Sequence, residues 1–527
     1  MLLRLQMIVK CLAICTLFVI ANIMATPESA ADVALSRIIA AANKLAGNGK
    51  FEIAAQRLKA AISRETEVNT KRKLQFALAK DDQLWAKQLV EQSDYSKALI
   101  VASEGQVLAT AVGDRPDEAL ALSQLGTALL HTGDTDKATS VLQHAQDVAA
   151  SSGDADARCR SLLCISTLFT LTGRQEKAKS SILAASKMAP ITDNSEDIGA
   201  SFAAMGVLAD ESRKPGAALR YELKALAIAK SSKLVYLESE SDVGLCCFEA
   251  KLGKYNESLA SGEQAYSLAA ANGFKGVEEE SLDTEALTYL YLGQSKPAIN
   301  VCRTSVALAQ GAGDTVETAR SLYVLGNAEE RTSDFGAALH SFQQAALFAN
   351  EAGNASELDK FLLAEGNVEM YQHNYDGALR SLEQSLATAT PIADLEVEED
   401  DLTVMSYMCR RTQRYQDALS YAQKGLSVTR ILGDKRGQEI DFMYVGISLE
   451  YLRRYKDSEN AFQQSLTEAT NVGDAKDERY DLTALIPICR FLRQRDFATL
   501  YQKQLAALKS GSQRPGSGAD NDSKIVG

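Results

Sequence analysis

Residues 323–346 read YVLGNAEERTSDFGAALHSFQQAA, and residues 363–386 read LAEGNVEMYQHNYDGALRSLEQSL. Set forty residues apart, both carry Gly-Asn early, an aromatic residue after a polar turn, and Ala-Leu late. Outward from this phrase, the small residue at Ala338 and Ala378 recurs at Ala98, Ala138, Ala178, Ala218, Ser258, Ala298, Ala418 and Ser458. Every interval is 40 residues, so the phrase is one unit of an array. Twelve residues before each lies a second small residue: Ala86, Gly126, Ser166, Gly206, Cys246, Ala286, Gly326, Gly366, Ser406 and Gly446. Seven residues after the first series lies a third, from Gly105 and Ala145 through Ser305, Ser385 and Gly425 to Ser465.

Three registers of small residues in step have a physical reading. Antiparallel helices approach closely only where the side chains at their crossing are small. One series marks the first helix of a pair and two mark the second. Larger apolar residues fill around them: Leu122, Leu162, Phe202, Leu282, Leu322, Leu362, Leu402 and Phe442 on first helices, and Leu142, Ile182, Phe342, Leu382 and Phe462 on second helices. Glu222 interrupts the second set, and nothing in the sequence explains it. Gly-Asp at 113, 153, 313, 433 and 473, with Gly353-Asn354, marks the joints between pairs, where Gly ends one helix and Asp caps the next. Gly133, Gly173, Gly253 and Gly293 mark the turn inside a pair.

An earlier unit at Ala42, Phe51, Ala54, Leu58 and Ala61 stands four residues off register. A last unit, marked by Phe497 and Leu500, is read with two extra residues in its turn, and Pro487 is expected to kink the helix before it. The expectation is an all-α solenoid of about twelve antiparallel helix pairs over residues 26–508. The polar, Gly/Ser-rich segment 509–527 is expected to be disordered.

Composition excludes some functions. The chain is 46% hydrophobic and 24% charged, with a net charge of −13 and no basic stripe, so nucleic acid is not an expected partner. Arg4 and Lys10 precede the apolar run Cys11–Ile23, and Ala25 follows, the layout of a secretory signal in residues 1–25. Cleavage after Ala25 is expected, after Ala31 as the next choice, with an uncleaved N-terminal anchor as the rival reading. No later stretch is apolar for long enough to span a membrane. The mature chain is expected to be periplasmic or secreted. Seven cysteines remain without a paired framework or a CxxC, which favours buried free thiols.

The small residue at the first-helix crossing and the aromatic three residues before the Ala (Tyr95, Tyr255, Phe335, Tyr375, Tyr415, Tyr455) resemble the tetratricopeptide repeat. The family unit is shorter; the 40-residue, long-helix version is similar to Leu-Gly-Asn repeat proteins, kinesin light chains and bacterial peptide-sensing regulators. The resemblance covers residues 32–508. It implies a right-handed superhelix whose inner wall is lined by first helices and meets extended peptides. On that wall the residue after each crossing position reads Lys87, Thr127, Thr167, Val207, Cys247, Leu287, Asn327, Asn367, Tyr407 and Ile447. The resemblance implies that Asn327 and Asn367 bond a peptide backbone, because one amide offers both donor and acceptor.

Four residues further on lie Tyr291, Arg331, Tyr371, Arg411, Tyr451 and Phe491, an alternation that reads as a cation–π ladder between neighbouring first helices. The earlier units read Glu91, His131, Leu171, Glu211 and Lys251 there, without a pattern. The candidate partner-binding residues are therefore Asn327, Asn367, Tyr291, Tyr323, Arg331, Tyr371, Tyr407, Arg411 and Tyr451, all in the C-terminal half.

Catalytic chemistry is not indicated. Only four His occur, and no metal, nucleotide or nucleophile motif accompanies them, so no enzyme activity, cofactor or metal is expected. The acidic clusters at 278–280 and 394–401 read as first-turn charges favoured by the helix dipole. The expected function is an exported scaffold for protein or peptide partners, with self-association through the solenoid ends allowed. A structural spacer and a receptor for small exported peptides are the alternatives.

Overall fold

The computed structural model describes residues 30–192 and 194–509. Both the expected signal at 1–25 and nearly all of the expected tail lie outside them. The described residues form 24 α-helices and a short 3-10 turn at Ala189–Ile191, with no strand among them. In chain order they are α1 (Ala30–Ala46), α2 (Phe51–Arg64), α3 (Val68–Glu91), α4 (Tyr95–Val112), α5 (Arg115–His131), α6 (Thr135–Ser152), α7 (Ala155–Leu171) and α8 (Gln175–Met188). Next come α9 (Ser195–Glu211), α10 (Pro215–Ser232), α11 (Val235–Lys251), α12 (Tyr255–Asn272), α13 (Lys275–Tyr291), α14 (Ser295–Ala312), α15 (Thr315–Arg331) and α16 (Phe335–Glu351). The last eight are α17 (Ala355–Tyr371), α18 (Tyr375–Ile392), α19 (Leu395–Arg411), α20 (Tyr415–Leu432), α21 (Lys435–Tyr451), α22 (Tyr455–Val472), α23 (Ala475–Phe491) and α24 (Arg495–Lys509). Odd-numbered helices are the first helices of pairs and even-numbered ones the second; consecutive helices pack on one another from α1 to α4 and from α8 to α24.

The chain divides into two compact units, one up to Ala128 together with Ser140–Ser161, the other Leu129–Thr139 with everything from Leu162 onward. In the first unit, Ala42, Ala54, Leu58, Leu74 and Leu78 form the core around α1–α3. At the end of the second, Leu482, Leu485, Ile488, Ala498 and Tyr501 join α23 to α24.

The crossing is a knob set on a gap. A Cβ added at Gly326 would stand 2.6 Å from the Phe342 ring, and one at Gly126 would stand 2.4 Å from Leu142 Cγ. Gly366 faces Leu382 and Gly446 faces Phe462 in the same way. Each large second-helix residue thus rests on the bare backbone of its own first helix, and Phe342, Phe462, Leu142 and Leu382 are fully buried. Glu222 occupies that register too. It is 3% exposed, with Gly206 below it and Gly244 of the next first helix beside it; a Cβ at Gly244 would stand 2.6 Å from its Cδ. Two glycines make room for the carboxyl, and burial pushes its pKa up to about 8, so it is a neutral acid at pH 7.

Turn chemistry matches the punctuation. Gly113, Gly313, Gly433 and Gly473 are left-handed C-caps, and Asp314 and Asp474 each accept two N–H groups at the start of α15 and α23. The turn inside each pair is left-handed whether or not it is Gly: Ser93, Arg213, Ser333, His373, Gln413, Arg453 and Arg493 have positive φ there.

Two sequence expectations need correction. The last pair has no extra residues: α23 ends at Phe491 and α24 starts at Arg495, the same three-residue turn as Tyr451 to Tyr455. Ala498, 4% exposed, continues the 40-residue series, whereas Phe497 and Leu500 are half-exposed and mark nothing in the core. The helix-dipole reading holds for Asp394, which accepts the Val397 N–H, but not for Glu279 or Asp401. Those two are fully buried, and no protein donor reaches any of their carboxyl oxygens. Burial raises Glu279 to about 9 and Asp401 to about 8. Pro487 lies inside α23, which continues four residues past it. None of the seven cysteines among the described residues is in a disulfide; Cys164 and Cys247 are partly exposed and the rest buried.

Candidate functional site

The turn ends of α13, α17, α21 and α23 lie near the aromatic that starts the preceding second helix. Tyr291 stacks on Tyr255 with ring centroids 6.2 Å apart, Tyr371 on Phe335 at 5.6 Å, and Tyr451 on Tyr415 at 4.4 Å with the rings 2° from parallel. Phe491 meets Tyr455 at 4.2 Å. The arginines in this register also turn inward. Arg411 reaches the Tyr375 hydroxyl, and Arg331 donates to the Leu290 carbonyl at 3.4 Å.

This overturns the ladder expected from sequence. Among the described residues neither Arg331 nor Arg411 lies over a ring; the contacts join residues 36 apart, not 40 apart. The physical reason is reach. The aromatic at the start of a second helix is the nearest apolar surface to the end of the next first helix, and offset stacking covers both rings. The outer faces stay in water: Tyr291, Tyr371 and Tyr451 remain more than half exposed.

Two recesses open beside these rungs. The first, about 460 Å³, is lined by Leu287, Leu290 and Tyr291 of α13 and by Asn327, Glu330 and Arg331 of α15. The second, about 350 Å³, is lined by Met370, Tyr371, His373, Tyr375, Thr403, Val404, Tyr407, Arg411 and Tyr444. Its wall is mainly ring and aliphatic carbon, with one guanidinium.

The structure thus gathers Tyr291, Asn327 and Arg331 in one place and Tyr371, Tyr407 and Arg411 in another. Asn327 also bonds the Tyr323 hydroxyl one turn earlier on α15. Tyr323 itself stacks on Phe361 at 4.7 Å and touches Phe342 at 5.7 Å, so its ring packs between helices rather than lining either recess. Burial raises its pKa. Asn367 and Tyr451 line neither recess.

Sequence reasoning left out Tyr375, Tyr444, Val404, Thr403 and Arg410. Tyr375 had been absorbed by the repeat signature. Val404 and Tyr407, three apart, share a helix face with Arg411, and a period of 3.6 finds all three. Arg410 closes the group from the side. Its guanidinium lies 4.4 Å over the Tyr444 ring and 5.6 Å over Tyr407, and its buried Nε has no hydrogen-bond partner.

No protein-family model matches the sequence, and no curated protein matches it. Solved structures do match. A signal transduction ATPase with numerous domains from Pyrococcus horikoshii, carrying a tetratricopeptide repeat sensor, superposes with a TM-score of 0.53 at 12% identity, covering 83% of this chain and 73% of that one. A Rap protein complexed with competence and sporulation factor gives a TM-score of 0.43 at 12% identity, covering 75% and 98%. Aspartyl phosphate phosphatase F from Bacillus subtilis gives 0.40 at 12% identity, covering 69% and 96%.

Proposed function

We propose that this chain, which has the fold of a tetratricopeptide-type helical repeat array, is a scaffold that holds another protein by an extended peptide segment laid along its first helices. One observation carries the reading: the same two repeat positions line both recesses. The residue after the crossing position supplies Leu287, Asn327 and Tyr407, and the residue four later supplies Tyr291, Arg331, Tyr371 and Arg411. A surface that recurs with the repeat suits a ligand that is itself extended, while aromatic and Arg side chains are the types that dominate binding hot spots. The proposal is of a binding protein without a reaction of its own.

An array of immobilised random octapeptides, acetylated and amidated at the ends, probed with the full chain tests this. Retention of a subset of peptides, lost when Asn327→Ala and Tyr407→Ala are combined at unchanged helicity, supports the reading. Retention of none supports the spacer instead. We also propose export through residues 1–25. Amino-terminal sequencing of the expressed protein should then begin at Thr26, and a retained Met1 would refute cleavage.

A further inference from the structure

We infer that the recess at Tyr407 and Tyr444 is an acidic-peptide site, taking an aromatic or long aliphatic side chain flanked by an Asp or Glu whose carboxylate lies between Arg410 and Arg411. The inference rests on the peptide-binding reading above and adds the ligand's chemistry.

Charge is the first argument. The chain carries 69 acidic and 56 basic residues, and some of its arginines are paired with carboxylates. Arg115, Arg320, Arg414, Arg436 and Arg454 each hold a carboxylate. Arg410 and Arg411 do not: among the described residues neither forms an ion pair, and the two are consecutive residues at the end of α19. They are held by rings instead, Arg410 over Tyr444 and Tyr407, Arg411 at Tyr375. An arginine stacked on rings keeps its donor edge available for a carboxylate, which accepts two parallel N–H bonds from that fork.

Unmet hydrogen bonds are the second argument. Arg410 Nε is buried without a partner, and so is Thr403 Oγ1 in the recess wall. Thr483, at the same repeat position of α23, gives its hydroxyl to the Arg479 carbonyl at 2.6 Å, so the register does not forbid that bond. Thr403 leaves its hydroxyl free for a ligand. Shape is the third: Met370, Tyr371, Tyr375, Val404, Tyr407 and Tyr444 enclose about 350 Å³, room for one large side chain and not for a folded partner.

The test uses the full chain and a fluorescein-labelled, end-capped octapeptide containing Glu-Phe-Glu, with anisotropy as the readout and circular dichroism to confirm folding. Capping removes the terminal carboxylate, so only side-chain acids contribute. Arg410→Gln and Arg411→Gln should each weaken binding about tenfold, the loss of a charge-assisted hydrogen bond. Arg411→Lys should recover part of that loss. A Glu→Gln probe should bind the unaltered chain more weakly, yet lose nothing further against the double Arg variant. On the octapeptide array, Asp and Glu should be enriched beside Phe, Tyr, Leu or Met. Peptides bound without acidic enrichment, or a Glu→Gln effect that persists in the double Arg variant, would overturn the acidic site while leaving the scaffold reading intact. An array that retains nothing would end both.

Discussion

The same backbone register carries two different surfaces in this molecule. Where the first helices α3, α9 and α11 end, charge meets charge close by: Glu91 takes Lys87 at 3.6 Å, Glu211 is exposed, and Lys251 pairs with Asp210. Where α13, α17, α21 and α23 end, ring lies on ring. A second register divides similarly. One position on the first helices reads Ser161, Ser201, Ser241, Ser281 and Ser321 early, then Phe361, then Asp401, Asp441 and Asp481 late, all buried. The lesson is that the crossing fixes the scaffold and leaves the ends and the inter-pair seams open to be rewritten.

The largest effect should come from those seams. Burial raises Asp401 and Asp481 to about 8 and Asp441 to about 7, and Asp359 and Glu439 to about 7. A carboxyl with a raised folded-state pKa contributes stability that is complete below its unfolded value and is lost as pH rises through the folded value. The late pairs should therefore unfold at lower urea at pH 8 than at pH 5, by an amount on the order of several kcal/mol summed over the acids. Asp401→Asn, Asp441→Asn and Asp481→Asn together should flatten that dependence, because an amide needs no proton to stay neutral. Ser161→Ala should leave it alone. A urea midpoint that rises between pH 5 and pH 8 would contradict the assignment of neutral acids.

The crossing should respond alike in both regions. Gly126→Ala and Gly326→Ala each drive a methyl against a buried side chain of the same pair, at 2.4 Å and 2.6 Å. Each should cost about 1–3 kcal/mol of stability, the usual range for overpacking. Thermal melts of the two variants check this. A loss at only one of them would mean that the two regions differ in their scaffold as well as in their surfaces.

Most of the fold was legible because helix pairing depends on residue size, and size is written in the sequence at a fixed period. Ala338, Gly326 and Phe342 needed only their spacing to be placed. The acids were misread because the dipole argument considers one helix, whereas Asp401 is buried against the preceding second helix, beside Ser385. Ser385, Gly425 and Ser465 sit opposite Asp401, Asp441 and Asp481, sixteen residues earlier in each case; a Cβ at Gly425 would stand 2.7 Å from Asp441 Oδ1. That pairing was present in the small-residue series and could have been found there. The recess was half legible. Tyr371, Tyr407 and Arg411 follow from the stripe, but Tyr444 enters from the next first helix, and a stripe read along one helix at a time does not supply it.

The smallest expected effect is at the rungs. Tyr451→Ala removes a ring stacked 4.4 Å from Tyr415 with planes nearly parallel, at the exposed end of α21. Much of that ring is already in water, so the area term is modest, and the ring–ring term is about 0.5–1.5 kcal/mol. Glu211→Ala, at the same position of α9, removes an exposed carboxyl and should change stability by less than about 0.5 kcal/mol. Tyr451→Phe keeps the stack and loses only the hydroxyl, so it should behave like the unaltered chain. If Tyr451→Ala melts no earlier than Glu211→Ala, the rungs contribute nothing to holding the pairs together. Their outer faces would then be explained by binding alone, and the difference between the early and late walls would be one of ligand recognition.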